Sequence, residues 1–330
     1  MKILDCTLRD GANVVGNGFS AGLTVSMIEN LIACGIPDIE FGNAKGIGSY
    51  EQGAAAPLDD EAYMKLAAPY AEKGRLGMFL LAKNADEDKV KMARDNGLSF
   101  IRVGIAAGDG ERAVHAVEMV KRAGLFCRYS LMKAYICTPD ELAKEAKMLE
   151  NAGIDAITIM DSAGYMYPTD AAEYVKALKD TVSVPVGFHG HSNLGLSQAN
   201  ALAAAEAGAD EIDGGLLGMA RSAGNCATEL AAATLMRKGL MTGVDLFKLL
   251  AYLDHTLIPA MKEYHYHTAV CPEDLVLGLT GCHSQFLKLF HQVAEEEHVD
   301  VYRLIAGVSA IDKKLPTQEL MHQVASALRQ

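Results

Sequence analysis

With 330 residues and 50% hydrophobic content, the chain can bury a large core; it is long for one ordinary domain but normal for an α/β barrel with an addition. Its formal net charge of −12 argues against a nucleic-acid surface, and no apolar stretch reaches the ~20 residues of a membrane span. Seven scattered cysteines without a Cys-x-x-Cys, and an N-terminus too short and too polar for a signal peptide, point to reduced thiols and a cytoplasmic location.

Short apolar runs alternate with amphipathic runs up to about residue 240. Strands are predicted at residues 3–7, 38–42, 76–81, 100–104, 126–132, 156–161, 184–189 and 211–216. Helical patterns fall at 23–34, 86–96, 110–123, 139–151, 169–181, 194–207 and 227–238. Gly35, Gly97, Gly124, Gly153 and Gly208 suit helix C-caps. The second connection, 43–69, opens on a Gly-rich loop. This alternation predicts a closed (β/α)8 TIM barrel over residues 1–242, followed by a C-terminal helical extension over 243–330. A doubly wound open sheet is the alternative. It would show a Gly-rich phosphate turn after the first strand, and none is present.

In such a barrel, function sits at the C-terminal strand ends. The first strand is followed by Arg9 and Asp10, and the second ends in Glu40-Phe41-Gly42-Asn43. The fifth carries Ser130 and Lys133, and the sixth ends in Asp161-Ser162-Ala163-Gly164. The seventh supplies His189 and His191, and Asn225 follows the eighth. Residues i and i+2 of a strand point to one side, so the two imidazoles aim at one point and form half of a divalent metal site. Barrel closure makes strands one, seven and eight neighbours. Asp10, His189, His191 and Asn225 are therefore expected around one corner of the mouth. Each piece also has an ordinary reading: Arg9 and Asp10 as a surface ion pair, Asp161 as a helix cap, Lys133 as a solvated side chain.

Thr7-Leu8-Arg9-Asp10-Gly11, followed much later by His189-Gly190-His191-Ser192-Asn193-Leu194-Gly195-Leu196, resembles the DRE-TIM metallolyase superfamily. Asp161-Ser162-Ala163-Gly164, Gly224-Asn225-Cys226-Ala227-Thr228-Glu229 and Gly281-Cys282-His283-Ser284-Gln285-Phe286-Leu287 look most like its 4-hydroxy-2-oxovalerate aldolase branch. The resemblance implies Mn²⁺ or Mg²⁺ held by Asp10, His189 and His191, with Asn225 as a fourth contact. That ion would chelate a 2-oxo acid and stabilise the enolate left by carbon–carbon cleavage to pyruvate and an aldehyde. Arg9 would stabilise the same negative charge. Ser162 would orient the oxo acid, and Glu40 and Asn43 would contact substrate or order the groups around it.

Two positions depart from that branch. Asn13 stands where the aldolases have the His that serves as base, and His283 stands where they have a mouth-facing Tyr. His283 is therefore the expected catalytic base, with an intrinsic pKa suited to the task. His255, His265 and His267 compete for that role from the same region. The resemblance further implies an acylating aldehyde dehydrogenase as partner through the C-terminal helices; a homo-oligomer is the simpler expectation. Two other functions are weighed: a Claisen-type synthase or lyase joining an acyl-CoA and a 2-oxo acid, and a non-catalytic homologue that binds metal and oxo acid but lost its base at Asn13.

Overall fold

The computed structural model describes residues 1–266 and 272–329, so His267 lies outside the described residues. The strands are β1 Lys2–Asp5, β2 Asp38–Glu40, β3 Arg75–Leu81, β4 Phe100–Ala106, β5 Phe126–Met132, β6 Ala156–Asp161, β7 Val186–Gly190 and β8 Glu211–Gly214. All pair in parallel in sequence order, and β8 returns to β1 with Ile3 opposite Ile212. The barrel is therefore closed, and the open-sheet alternative is excluded. All eight strands overlap their predicted positions. Strands β3 to β6 read as largely apolar runs, as strands covered on both faces do, whereas β2 (Asp38–Glu40) and β8 (Glu211–Gly214) are short, carry two carboxylates each and follow from the strand–helix alternation.

The barrel helices are α1 Ala21–Ala33, α2 Asp60–Ala67, α3 Glu87–Asp95, α4 Val114–Arg122, α5 Pro139–Ala152, α6 Pro168–Lys179, α7 Ser197–Glu206 and α8 Thr228–Arg237. Helix α2 falls inside the 43–69 connection, where the periodicity predicts no helix. It is short, and it starts at Asp59, whose side chain accepts from the Ala62 N–H at 2.8 Å. Helix α7 starts three residues later than its apolar pattern. Gly195 adopts φ +71° and its N–H closes a turn on the Ser192 carbonyl, so the residues after His191 form a loop. Strand β1 ends before Thr7 because the Cys6 carbonyl collects the N–H groups of Arg9, Asp10 and Gly11.

The extension comprises α9 Leu246–Tyr252, α10 Ile258–Met261, α11 Pro272–Thr280, α12 Leu287–Glu297, α13 Val301–Ile311 and α14 Gln318–Leu328. Leu249, Leu253, Leu257 and Met261 join the barrel core, whereas Leu277, Phe290, Val293, Leu304, Ile305, Val308 and Met321 form a second core. This second unit leans on the mouth. Gly278 of α11 packs so closely on Asn193 that a Cβ there would lie 2.7 Å from the Asn193 Cβ. Lys133, whose ordinary reading is a solvated side chain, is instead buried. Its Nζ donates to the Lys314 carbonyl at 3.0 Å and sits 5.2 Å from the Phe286 ring centroid.

Inside the barrel, beneath the mouth, lies a charged layer. Arg102 of β4 donates to both oxygens of Asp213 of β8 at 2.6 and 3.0 Å, and its Nε lies 3.2 Å from Glu40 of β2. All three are buried, and all come from even-numbered strands, as the layers of such a barrel do. Buried charges persist only when paired, and here the pairing also aims groups upward at the site.

Candidate active site

The site begins with the turn after β1. The buried Asp5 carboxylate accepts from the Thr7 N–H at 2.9 Å and the Thr228 hydroxyl at 2.6 Å, and the Thr7 hydroxyl accepts from the Leu216 N–H at 2.7 Å. Burial raises the Asp5 carboxyl pKa to about 6. These bonds lock the turn to the segments around β8 and hold Arg9 and Asp10 at the mouth.

The second contribution comes from β7. The His191 N–H donates to the Asp161 carbonyl at 3.1 Å, and the Ser192 N–H donates to the Gly224 carbonyl at 2.8 Å. His191 and Asn225 thereby pair as an antiparallel bridge. Two glycines permit this approach. A Cβ on Gly164 would lie 2.5 Å from the Asn193 nitrogen, and one on Gly224 would lie 2.3 Å from the Gly218 carbonyl oxygen.

The expected metal residues converge. Asp10 Oδ2 lies 3.6 Å from Nε2 of both His189 and His191, and one ligand atom from each residue falls within 4.8 Å of the others. Asn225 Nδ2 donates to Asp10 Oδ2 at 2.9 Å, leaving its buried Oδ1 without a partner. His189 Nδ1 lies 3.0 Å from Asp213 Oδ2. The Asp213 carboxylate accepts the Nδ1–H hydrogen bond and turns Nε2 toward Asp10, where a cation could take the place of the Nε2 proton, an arrangement typical of metal-ligating histidines. Burial holds the His191 pKa down at about 3, so that ring is neutral. For Asp10, burial alone would raise the pKa, but Arg9 and the two imidazoles outweigh it and hold the group well below the carboxylate range. His189 is disfavoured as a cation by burial, yet its bonds to Asp10 and Asp213 raise its pKa. A cation bound on Nε2 would displace that proton. One carboxylate, two imidazoles and an orphaned amide oxygen form a donor set that suits Mn²⁺ or Mg²⁺ with remaining positions for water or substrate.

Arg9 is not a surface ion pair. It is buried, its Nη1 lies 3.1 Å from Asp10 Oδ1, its Nε bonds Glu40, and its guanidinium lies 5.1 Å from the Phe79 ring centroid. Its buried Nη2 has no partner and is the donor left for a ligand. Asp10, Arg9, His189, His191, Ser162 and His283 all line one cavity of about 260 Å³, near the lower limit of small-molecule pockets, roughly 300 Å³. Ser162 Oγ accepts from the Lys133 N–H at 2.9 Å, which leaves its O–H to donate.

Glu40 and Asn43, expected to contact substrate or to order the groups around it, lie outside the cavity wall. Glu40 lies under Arg9, fully buried between it and Arg102. Asn43 spends its amide on its own loop, donating to the Ala54 carbonyl at 2.7 Å and accepting from the Lys45 N–H at 3.0 Å. Asp161 holds the loop after β6, accepting from the Tyr165 and Met166 N–H groups at 2.8 and 3.0 Å.

His283 requires a correction of role. It does reach the cavity, from the loop between α11 and α12, whereas His255 and His265 are exposed and do not line it. Its Nδ1, however, accepts from the Gln285 N–H at 3.1 Å. The proton of the neutral ring is then on Nε2, so the ring presents a donor rather than a lone pair. Burial, followed by the charges of Arg221 and Lys133, holds its pKa well below the usual value, and the ring stays neutral. Asn13, the departure at the other expected base position, donates to the Asp10 carbonyl at 2.9 Å and accepts from Lys45 Nζ at 2.8 Å.

Lys45, Arg221, Phe79 and Gln285 in the cavity wall, and Asp213 and Arg102 beneath it, are not among the expected site residues. The last two carried a signal: a charge inside the apolar runs Phe100-Ile101-Arg102-Val103 and Ile212-Asp213-Gly214.

The profile of the HMGL-like family matches residues 1–255. The 4-hydroxy-2-oxovalerate aldolase of Chloroflexus aurantiacus is 36% identical over 300 residues, 91% of this chain and 87% of that protein. That of Carboxydothermus hydrogenoformans is 34% identical over 330 residues, 99% of this chain and 97% of that protein. Among solved structures, the carboxyl transferase domain of Rhizobium etli pyruvate carboxylase with pyruvate and biocytin superposes with a TM-score of 0.78 at 18% identity, over 99% of this chain and 61% of that one. That likeness concerns the fold alone. The matched profile, the relatives and the metal-type cluster at the barrel mouth agree: this chain belongs to the HMGL-like family, within the DRE-TIM metallolyases.

Proposed function

We propose that the chain is a divalent-metal-dependent carbon–carbon lyase that cleaves a 4-hydroxy-2-oxo acid to pyruvate and an aldehyde, or runs the reverse condensation. The observation that carries this reading is the convergence of Asp10, His189 and His191 on the cavity that Arg9 also faces. The aldolase names of the relatives, which match 91% and 99% of the chain, support it further. They do not favour the acyl-CoA alternative.

In the cleavage the 4-hydroxyl gives up its proton to water at the cavity mouth, the C3–C4 bond breaks, and C4 becomes the aldehyde carbonyl. The bonding pair passes into the enolate of the three-carbon half, which takes one proton back from water at C3 to give pyruvate, so the protons balance. No electron acceptor is needed. A Mn²⁺ or Mg²⁺ ion held by Asp10, His189 and His191, with Asn225 beside them, would supply Lewis-acid polarisation of the oxo group. Arg9 Nη2 donates to the developing enolate oxygen from a buried position, where a fixed donor is worth most. Glu40 and Asp10 hold that guanidinium charged and oriented. The Ser162 O–H orients the oxo acid. His283 Nε2–H donates to a substrate oxygen.

A donor role is separable from a base role by substitution. His283→Gln, which keeps an N–H, is expected to stay within roughly tenfold of wild-type turnover, while His283→Phe loses about 10²-fold. Equal losses in both, with an imidazole-like limb vanishing from the pH–rate profile, would restore the base.

The function itself is tested by pyruvate release from a panel of 4-hydroxy-2-oxo acids with Mn²⁺, Mg²⁺ or a chelator. Metal-dependent pyruvate is the expected result. CoA thiol release from acetyl-CoA with an oxo acid, without pyruvate from the panel, would favour the synthase reading; silence in both assays with metal bound would favour the non-catalytic one. The partner belongs to the same proposal: a second copy of this chain, or an acylating aldehyde dehydrogenase on the helical extension, where Leu250 and Ile258 stand exposed. A cytoplasmic setting is supported by the six described cysteines, all free thiols; no described helix is long and apolar enough to cross a membrane.

A further inference from the structure

Cations outnumber anions around the cavity. Asp10 is the only carboxylate among its described lining residues, against Arg9, Lys45 and Arg221. Arg9 is neutralised by Glu40 and Asp10. Lys45 has no carboxylate partner among the described residues, and Arg221 reaches only Asp10, which Arg9 already engages. Lys45 Nζ donates to the neutral Asn13 amide at 2.8 Å, and Asn13 is itself pinned to the Asp10 carbonyl. That chain fixes the ammonium at the mouth. Arg221 has a buried Nε without a hydrogen-bond partner, and this nitrogen lies 3.8 Å from Asp10 Oδ1, too far for a hydrogen bond. Burial lowers the pKa of both groups, and the charge of Arg221 is the next cause acting on Lys45. The two cations stand on either side of Asp10, whose single charge is already engaged by Arg9.

Their depth also differs from that of the proposed metal residues. Asp10, His189 and His191 are 1%, 2% and 4% exposed and form the floor. Lys45 is exposed and Arg221 half-buried. They rise from the loops after β2 and β8, on either side of the β1 turn that carries Asp10. A ligand with its oxo-acid end on the floor extends its far end to this rim.

We propose that Lys45 and Arg221 form a second anion subsite, and that the substrate carries a carboxylate on its aldehyde half, so that the released aldehyde is itself an acid. This rests on the lyase reading above and narrows its substrate class. The distal carboxylate takes no part in the bond changes. It accepts charge-assisted hydrogen bonds from the guanidinium and the ammonium, whereas a methyl group at the same place leaves both without an acceptor.

The test is calorimetric titration of the full chain, loaded with Mg²⁺, with 2-oxoglutarate and with 2-oxovalerate. Both have five carbons, neither has a 4-hydroxyl to cleave, and they differ in the distal carboxylate. Wild type is expected to bind 2-oxoglutarate at least about tenfold more tightly, the value of one charge-assisted bond. In Lys45→Met and in Arg221→Met that ratio is expected to fall toward one, with 2-oxovalerate binding reporting that each variant still folds. Equal affinities in wild type, or a preference that survives both substitutions, would overturn the proposal. So would a parallel loss of both acids, which would place the cations on the C1 carboxylate instead. Failure of wild type to bind either acid would reject the oxo-acid reading of the site itself, and this inference with it.

Discussion

His189→Ala is expected to strip the metal from the purified protein and reduce metal-dependent pyruvate release to background. The variant loses one of three clustered protein ligands, and the remaining pair, Asp10 and His191, is left with Oδ2 and Nε2 3.6 Å apart and only the Asn225 amide as a further protein oxygen. The barrel should survive. Asp213 loses its imidazole partner but keeps two bonds from Arg102 at 2.6 and 3.0 Å. Metal analysis checks the first claim, and thermal melting checks the second. Added Mn²⁺ should raise the melting temperature of wild type, since an ion that binds only the folded state stabilises it by mass action, and should leave that of the variant where it was. Metal content equal to wild type would reject the ligand assignment.

Arg102→Met should be the most destabilising change beneath the site. Methionine approximates the length of arginine but leaves Asp213 and Glu40 as buried carboxylates without their shared cation. Removing one member of a buried ion pair costs about 3–5 kcal/mol, a large fraction of the 5–15 kcal/mol that holds a typical domain folded. Urea unfolding followed by circular dichroism would read this as a lowered midpoint with little change in slope. A loss below about 1 kcal/mol would mean that solvent or a backbone shift replaces the guanidinium. Metal affinity should weaken in the same variant. Asp213 orients His189 through the 3.0 Å contact to Nδ1, and loss of a group that supports a metal ligand typically costs 10–100-fold in affinity.

These two substitutions lie on opposite sides of what local sequence can tell. Most of the eight strands were legible as local apolar runs between turn residues; β2 and β8, with two carboxylates each, were legible only through the strand–helix alternation. His189 and His191 were legible as a pair because the period of a strand is two. Asp10 and Asn225 joined them by topology: eight alternating units close, and closure makes β1 and β8 neighbours. In each case a short-range pattern combined with one fold-level rule was sufficient. Helix α2 was missed because eight residues beside a long Gly-rich loop carry too little periodicity to separate from it.

The remainder required the tertiary structure, because electrostatic pairing depends on distance in space. Arg102 and Asp213 stand 111 positions apart and meet only because β4 and β8 point into the same layer. Their presence in apolar runs marked them as unusual without naming a partner. Glu40 reads from sequence as a mouth residue, yet the strand places it one layer lower, under Arg9. His283 was recognised by its matching position, but its tautomer follows from one backbone N–H two residues further on, a contact that exists only once the turn has formed. Lys45 and Arg221 are ordinary loop cations in sequence; barrel closure sets them on either side of Asp10. Sequence by itself named the residues proposed for the chemistry, Arg9, Asp10, His189, His191 and His283. The fold decided which of their atoms are already committed and which remain free to act, because every hydrogen bond made inside the protein removes a donor or lone pair from those available to a ligand.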